Sequence, residues 1–177
     1  MAQHQAVRVF LSVTTLDGSL SRVMEPRASH PMRRLAAIEM LSQAGVPTGV
    51  LVAPVIPGLT DHELPSIIAA AVQAGAQAAG YVTLRLPHGV GPLFEQWLAR
   101  HFPDRKDKVL HRVRTMRGGQ LNDPRFGSRM RGEGIFAEQI AALFALACRK
   151  AGIDGRGPAL STAHFRVPSS SQLSLFE

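Results

Sequence analysis

The sequence predicts an α/β fold, a partial (β/α) barrel of about three parallel strands with crossover helices and further C-terminal helices. Two observations support this prediction. Three apolar, β-branched segments alternate with stretches of helical periodicity, which is the pattern of consecutive βαβ units. The apolar segments are also nearly continuous rather than alternating, which is typical of strands that are buried on both faces of a parallel sheet.

The predicted elements follow one another in a regular order. The first strand covers residues 7–15, and a helix that begins at Pro31 and ends before Gly45 follows it. The second strand covers residues 46–56 and ends in a Pro-Gly turn. The next helix is preceded by Thr60 and Glu63, which have the spacing of a capping box, and the third strand covers residues 78–86.

The second half of the chain is predicted to be helical. A long loop, residues 117–134, interrupts the helices, and a tail after residue 152 is expected to be disordered because it is rich in Ser and Pro. We therefore divide the chain into a half-barrel with a helical extension, residues 1–152, and a tail, residues 153–177. The helical patterns cover residues 90–102, 104–116 and 135–151.

An isolated three-stranded parallel sheet would leave both edge strands with unpaired backbone groups. We therefore expect further strands or a partner chain beside this sheet, and a self-contained small α/β domain is the alternative.

Composition narrows the functional classes. A net charge of +7 and a pI near 11.0 favour an anionic partner such as nucleic acid, although an Arg-rich composition alone produces the same charge. One cysteine, Cys148, excludes an internal disulfide and any site built from several thiolates of this chain. The sequence shows neither a membrane-spanning apolar run nor a secretory signal, so we expect a cytoplasmic protein without a membrane partner.

Four phrases are more specific than composition: SVTTLDGSLSRVMEPRASHPMRRL (residues 12–35), GVPTGVLVAPVIPGLTDHEL (45–64), YVTLRLP (81–87) and RGGQLNDPRFGSRMRGEG (117–134). They resemble the later strands and the C-terminal extension of the photolyase-like radical S-adenosylmethionine (SAM) proteins, which are related to spore photoproduct lyase. The resemblance covers about residues 6–152.

The resemblance implies a partial TIM barrel that holds a 4Fe-4S cluster and reductively cleaves SAM to a 5′-deoxyadenosyl radical, in a DNA-repair-like enzyme. Such a cluster is bound by a C-x₃-C-x₂-C loop, and this sequence contains no such loop. We therefore expect the chain to be the C-terminal portion of such an enzyme, inactive alone and completed by a missing N-terminal half or by a second chain. The alternative is a basic, nucleic-acid-associated binding module without catalysis.

The resemblance also suggests cofactor-binding residues, whereas no catalytic residue or metal ligand is assigned. Ser12 and Thr14 end the first strand, where ligands of α/β barrels gather, and the resemblance implies contacts with the ribose of SAM. Their alternative role is to satisfy backbone groups at the strand end. Glu25 and Arg27 flank a proline and could bind the amino and carboxylate groups of the cofactor, or form a surface pair. Arg85 lies near the end of the predicted third strand and is expected to face substrate, cofactor or a carboxylate.

One arginine-rich stretch has two interpretations. It could contact phosphates, or it could be a solvated loop that packs over the barrel, which is the interpretation we favour because only Phe126 could stack on a base. Its arginines are Arg112, Arg114, Arg117, Arg125, Arg129 and Arg131.

Overall fold

The computed structural model describes residues 1–153 and 155–166 and confirms a mixed α/β fold. A parallel three-stranded sheet lies at its centre, with the strands in chain order. The strands are β1 (Val9–Ser12), β2 (Thr48–Val55) and β3 (Ala78–Thr83). Helices separate consecutive strands, so the predicted βαβαβ order is confirmed.

Most of the helices lie where the periodicity predicted them. The exception is α1, which occupies a stretch that reads as polar loop; its Asp17 carboxylate accepts hydrogen bonds from the backbone N–H groups of Ser19 and Leu20 and so caps the helix. No helix in the described part of the chain is both long and apolar enough to cross a bilayer. The helices are α1 (Gly18–Met24), α2 (Pro31–Gln43), α3 (Leu64–Gln73), α4 (Val90–His101), α5 (Pro103–Thr115) and α6 (Ile135–Lys150), with short 3-10 helices at Ala2–His4 and Asp61–Glu63.

The main core lies between one face of the sheet and helices α2, α3 and α6. Val50, Val52 and Tyr81 on this face are almost completely buried, and Ile67 and Ile68 of α3 are fully buried against them. Helices α4 and α5 enclose a second cluster around Leu98, Val109 and Val113. This cluster also contains Ile56 and Leu59, so it lies beside the segment that follows β2.

The opposite face of the sheet is covered less completely. Phe10 is 43% exposed, Ser12 is exposed, and Leu51 and Val82 are partly exposed. The prediction that the first strand is buried on both faces therefore differs from the structure. The physical reason is that β1 is an edge strand, and among the described residues helices cover only one of its faces.

The two edges of the sheet also differ. Loop segments bond to the outer edge of β3, because the N–H of Thr83 donates to the carbonyl of Met130 and the N–H of Ala79 donates to the carbonyl of Gly155. Within residues 1–153 and 155–166, β1 pairs with β2 alone. No strand of the described residues pairs with its outer edge, where the guanidinium of Arg34 donates to the carbonyl of Ser12.

The predicted tail is described only in part. Residues 154 and 167–177 lie outside the described residues, so the prediction of disorder there stays a prediction. In the described part, the N–H of Ser161 donates to the carbonyl of Gln5, and Arg8 donates to the carbonyl of Arg156.

Candidate functional site

The segments that leave the three strands lie together at the carboxyl edge of the sheet, where parallel α/β folds bind ligands. The hydroxyl of Thr14, after β1, donates to the carbonyl of Ala53 in β2 at 3.0 Å. Ala53 in turn lines a groove of about 280 Å³ that continues along Pro54, Val82 and Arg85. This carboxyl edge is the candidate functional site.

Ser12 and Thr14 differ in exposure. Thr14 is buried, and its hydroxyl satisfies a strand-end carbonyl, as the structural alternative for this residue anticipated. The side chain of Ser12 is exposed, and its carbonyl accepts a hydrogen bond from the guanidinium of Arg34 at 2.9 Å. Ser12 is therefore the more accessible of the two.

Arg34 brings Ser12 and Glu25 together. Its Nη2 lies 3.1 Å from Oε2 of Glu25, and its Nε donates to the carbonyl of Ser29 at 2.8 Å. Glu25 therefore pairs with Arg34, and the exposed Arg27 has no hydrogen bond or ion pair within the described residues. The sequence interpretation overlooked Arg34, which lies on α2, because nothing in its local pattern separates it from a surface helix arginine.

Arg85 is exposed just beyond β3, in the groove that Ala53 also lines. Its Nη1 lies 3.7 Å from the sulfur of Met130, which is a weak acceptor. The described residues provide no carboxylate partner for this guanidinium, so its charge stays available to a bound anion.

Glu63 connects the segment after β2 with the segment after β1. Its carboxylate accepts from the hydroxyl of Thr15 at 2.7 Å and from the N–H of Leu16 at 2.8 Å. Thr60 likewise accepts from the N–H of Ile56. The predicted capping box is therefore wrong, because both side chains bond to the exit segments of the strands instead of to the helix end.

Arg117 joins the exit of β3 to the 117–134 loop. The side chain is buried, and its guanidinium donates to the carbonyls of Leu84, Ser128 and Arg129 and to the hydroxyl of Thr83, at 2.8–3.2 Å. Burial lowers the pKa of this guanidinium, and the charge of Arg85 lowers it further, while Asp123 opposes both effects. Arg117 therefore acts as a structural link and is not presented to a ligand.

Most other arginines of the basic stretch also have partners in the protein. Arg112 pairs with Asp61 and Arg114 with Glu95. Arg129 and Arg131 lie against the aromatic rings of Phe126 and Tyr81, respectively. These contacts agree with a basic loop that packs on the domain.

A carboxylate organises the loop itself. Asp123 accepts two hydrogen bonds from the guanidinium of Arg125, one from the backbone N–H of Arg125, and one from the hydroxyl of Ser128 at 2.7 Å. These bonds, the Arg125 side chain foremost, hold the pKa of Asp123 well below its usual range. Asp123 and Glu133 together raise the pKa of Arg125.

The lowered pKa of Asp123 predicts a pH-dependent stability. The carboxylate stabilises the fold fully above the ordinary aspartate pKa of about 3.9, and this contribution is lost as the pH falls below that value toward the lowered one. We expect Asp123→Asn to lower the Tm at neutral pH, with a difference from wild type that narrows below about pH 4. The Tm of both proteins is measured by thermal unfolding, followed by circular dichroism, from neutral pH to below pH 4.

Glu133→Gln is the matched control, because Glu133 binds the same arginine but is exposed. We expect a smaller change in Tm at neutral pH for this variant. A Tm difference between wild type and Asp123→Asn that stayed constant down to pH 3 would contradict the assignment.

The described residues hold no group of three or more His, Cys, Asp or Glu side chains that could bind a metal ion. Cys148 is buried on α6, within the main core.

Comparison with known proteins identifies mycobacterial relatives. Proteins of Mycobacterium bovis and Mycobacterium tuberculosis, both described as uncharacterized, are each 32% identical to this chain over 147 residues. The match covers 81% of the chain and 40% of each relative, so the chain spans less than half the length of these proteins. No protein-family model matches the chain, and no solved structure matches it significantly. The chain is thus similar to one part of longer bacterial proteins.

Proposed function

We propose that this chain is the C-terminal portion of a radical SAM enzyme of the photolyase-like type, in which it supplies part of the SAM and substrate site. One observation carries the proposal. The four phrases that resemble this family lie far apart in the sequence but converge at the carboxyl edge of the sheet, through the bonds Thr14–Ala53, Thr15–Glu63 and Arg117–Leu84.

The sheet itself supports a partial barrel. In (β/α) barrels helices cover the outer face of the strands, and the inner face lines the barrel interior. Here α2, α3 and α6 cover one face, whereas Phe10, Leu51 and Val82 on the other are at least partly exposed. Further strands beside the outer edge of β1 would enclose that face.

Among the described residues, the hydroxyl of Ser12 and the guanidinium of Arg27 form no hydrogen bond, and the guanidinium of Arg85 contacts only the sulfur of Met130, so all three can bind a ligand. Glu25 keeps Oε1 without a partner among the described residues, so it can accept from the amino group of SAM while Oε2 stays on Arg34. Arg27 can grip the carboxylate of SAM in a bidentate fork. Thr14, whose hydroxyl is bound to Ala53, positions the strand end beside the groove.

The residues of this chain do not fit an iron–sulfur cluster. Three cysteine thiolates are needed, and the one cysteine is buried in the core. The proposed cluster ligands therefore belong to another part of the complete enzyme or to a second chain, where the cluster would reduce SAM.

The test is anaerobic reconstitution of the purified chain with iron, sulfide and reductant, in parallel with the full-length relative from M. tuberculosis. We expect no thiolate–iron absorbance for the chain alone. We expect a stoichiometric cluster and release of 5′-deoxyadenosine from SAM for the full-length relative. A full-length relative that bound no cluster, or a cluster on the isolated chain, would overturn the proposal.

Variants test the assigned contacts. In this chain, combined with the part of the enzyme that carries the cluster ligands, Arg27→Ala and Arg85→Ala should weaken SAM binding about tenfold or more, because each removes a charge-assisted hydrogen bond. Arg33→Ala, at an exposed helix residue, is the control and should leave SAM binding unchanged.

A basic nucleic-acid-binding module without catalysis is the alternative. It would rest on the net charge of +7. The geometry favours it less, because Arg114, Arg117 and Arg125 of the basic stretch already bond to protein groups. Two results together would support this alternative. The chain would bind duplex DNA tightly, with an affinity that falls steeply as the salt concentration rises, and the full-length relative would bind no cluster.

A further inference from the structure

A second cleft, which shares no lining residue with the groove at the carboxyl edge, lies between α5, α6 and the segment that follows β2. Its volume is about 530 Å³, which is within the range of small-molecule sites. The charged and aromatic side chains that line it are Asp61, His62, Arg105, Lys108, Arg112 and Phe136. Nothing in the proposed function uses this cleft.

The cations of α5 that line the cleft share one helix face. Arg105, Lys108 and Arg112 are spaced three and four residues apart, so their side chains are neighbours. Like charges at this spacing repel one another and destabilise a helix by a few tenths of a kcal/mol per pair. A neighbouring face of α5 is buried through Val109 and Val113, and this packing fixes the rotation of the helix about its axis.

The positive charges that line the cleft are only partly neutralised by carboxylates. Asp61 is the one carboxylate among its described lining residues, and its Oδ2 is shared between Nη1 of Arg112, at 3.2 Å, and the N–H of Gly58, at 2.9 Å. Arg105 and Lys108 are exposed, and neither has a hydrogen bond or ion pair among the described residues. The cleft therefore has excess positive charge.

The orientation of Arg112 is held from two sides. The Phe136 ring lies under its guanidinium, 4.9 Å from Cζ to the ring centroid, and Asp61 binds one of its terminal nitrogens. Its Nη2 has no partner among residues 1–153 and 155–166. A guanidinium held in this way is preorganised to donate to an oxyanion.

We propose that this cleft binds a phosphate group, held by Lys108 and Arg105 and oriented by Arg112. Phosphate matches the site because it carries more than one negative charge and its oxygens accept several hydrogen bonds at once, and three cationic side chains line the cleft. The phosphate can come from a nucleotide or from a nucleic acid backbone, and the two sources share this chemistry. The proposal is independent of radical SAM chemistry.

The experiment is a ¹H–¹⁵N NMR titration of the intact chain with inorganic phosphate, with ionic strength held constant by chloride. We expect saturable shifts confined to residues near 58–62, 105–112 and 136–140. Lys108→Gln should weaken the fitted affinity about tenfold. Lys106→Gln is the matched control, because it removes the same charge from the same helix but not from the cleft lining, and it should change the affinity less than about twofold.

Equal weakening by Lys108→Gln and Lys106→Gln, or the absence of saturable shifts, would overturn the proposal, since both indicate only diffuse attraction. Competition against phosphate by a mononucleotide and by a short oligonucleotide then identifies the source. If either ligand displaces phosphate and Lys108→Gln weakens that displacement, the site is supported. If both ligands bind equally well to the Lys108→Gln variant, the proposal is overturned.

Discussion

Replacement of Arg117 by methionine is expected to lower the free energy of unfolding by about 3 kcal/mol. Arg117 donates four hydrogen bonds that connect the exit of β3 with the 117–134 loop. Methionine fills similar volume but donates none, so the carbonyl of Leu84 and the hydroxyl of Thr83 lose a buried donor. Urea unfolding at neutral pH measures the change.

Arg114→Met provides the comparison. Arg114 forms an exposed ion pair with Glu95 at 2.8 Å, and such pairs contribute less than about 1 kcal/mol. Equal destabilisation by the two substitutions would show that Arg117 does not link the loop to the sheet. Arg117→Lys should fall between the two, because one ammonium group cannot reach four acceptors on both sides of the link.

Replacement of Glu63 by alanine is expected to lower the free energy of unfolding by about 2 kcal/mol. The carboxylate binds both the hydroxyl of Thr15 and the N–H of Leu16, and Thr15 is almost fully buried. Its removal leaves these donors unpaired and frees the segment after β1, which carries Asp17 and leads into α1. We therefore also expect faster amide hydrogen exchange at residues 14–17.

A double-mutant cycle isolates this interaction. Thr15→Val combined with Glu63→Ala should show a coupling energy of about 1–2 kcal/mol. Glu39→Ala is the control, because Glu39 is exposed on α2 and makes only a long contact with Gln43, 3.4 Å. Additive effects of Thr15→Val and Glu63→Ala would contradict the assigned link.

The strands and most helices could be predicted because their signals are local. The apolar, β-branched runs correspond to β1, β2 and β3, although each strand is shorter than the run. Pro31 begins α2 as predicted, and Gly45, with a φ of 75°, follows its end. Helix α1 could not be predicted from periodicity, since it has only seven residues after its capping residue Asp17, and the first of them is Gly18.

The sequence could predict which side chains lie at the carboxyl edge of the sheet, but not which of them form hydrogen bonds or ion pairs with one another. The rule that ligands bind at strand ends placed Ser12, Thr14 and Arg85 at one edge of the sheet. In the structure Thr14 bonds to Ala53, which lines a groove together with Arg85. The rule could not show that Glu25 pairs with Arg34, nine residues away, or that Thr14 satisfies a carbonyl in β2. Partners across strands are set by register, which no local pattern encodes.

The sequence alone determined the α/β class, the order of the elements and the absence of enough thiolates for a cluster, because these depend on composition and on the periods of two and 3.6 residues. Only the tertiary structure decided which charges are free. No signal in the sequence separates Arg117 and Arg125 from Arg105 and Lys108, yet the first two bond to protein groups and the last two line an open cleft. The reason is physical: an ion pair or buried hydrogen bond depends on distances between segments far apart in the chain, which form only when the sheet and helices pack.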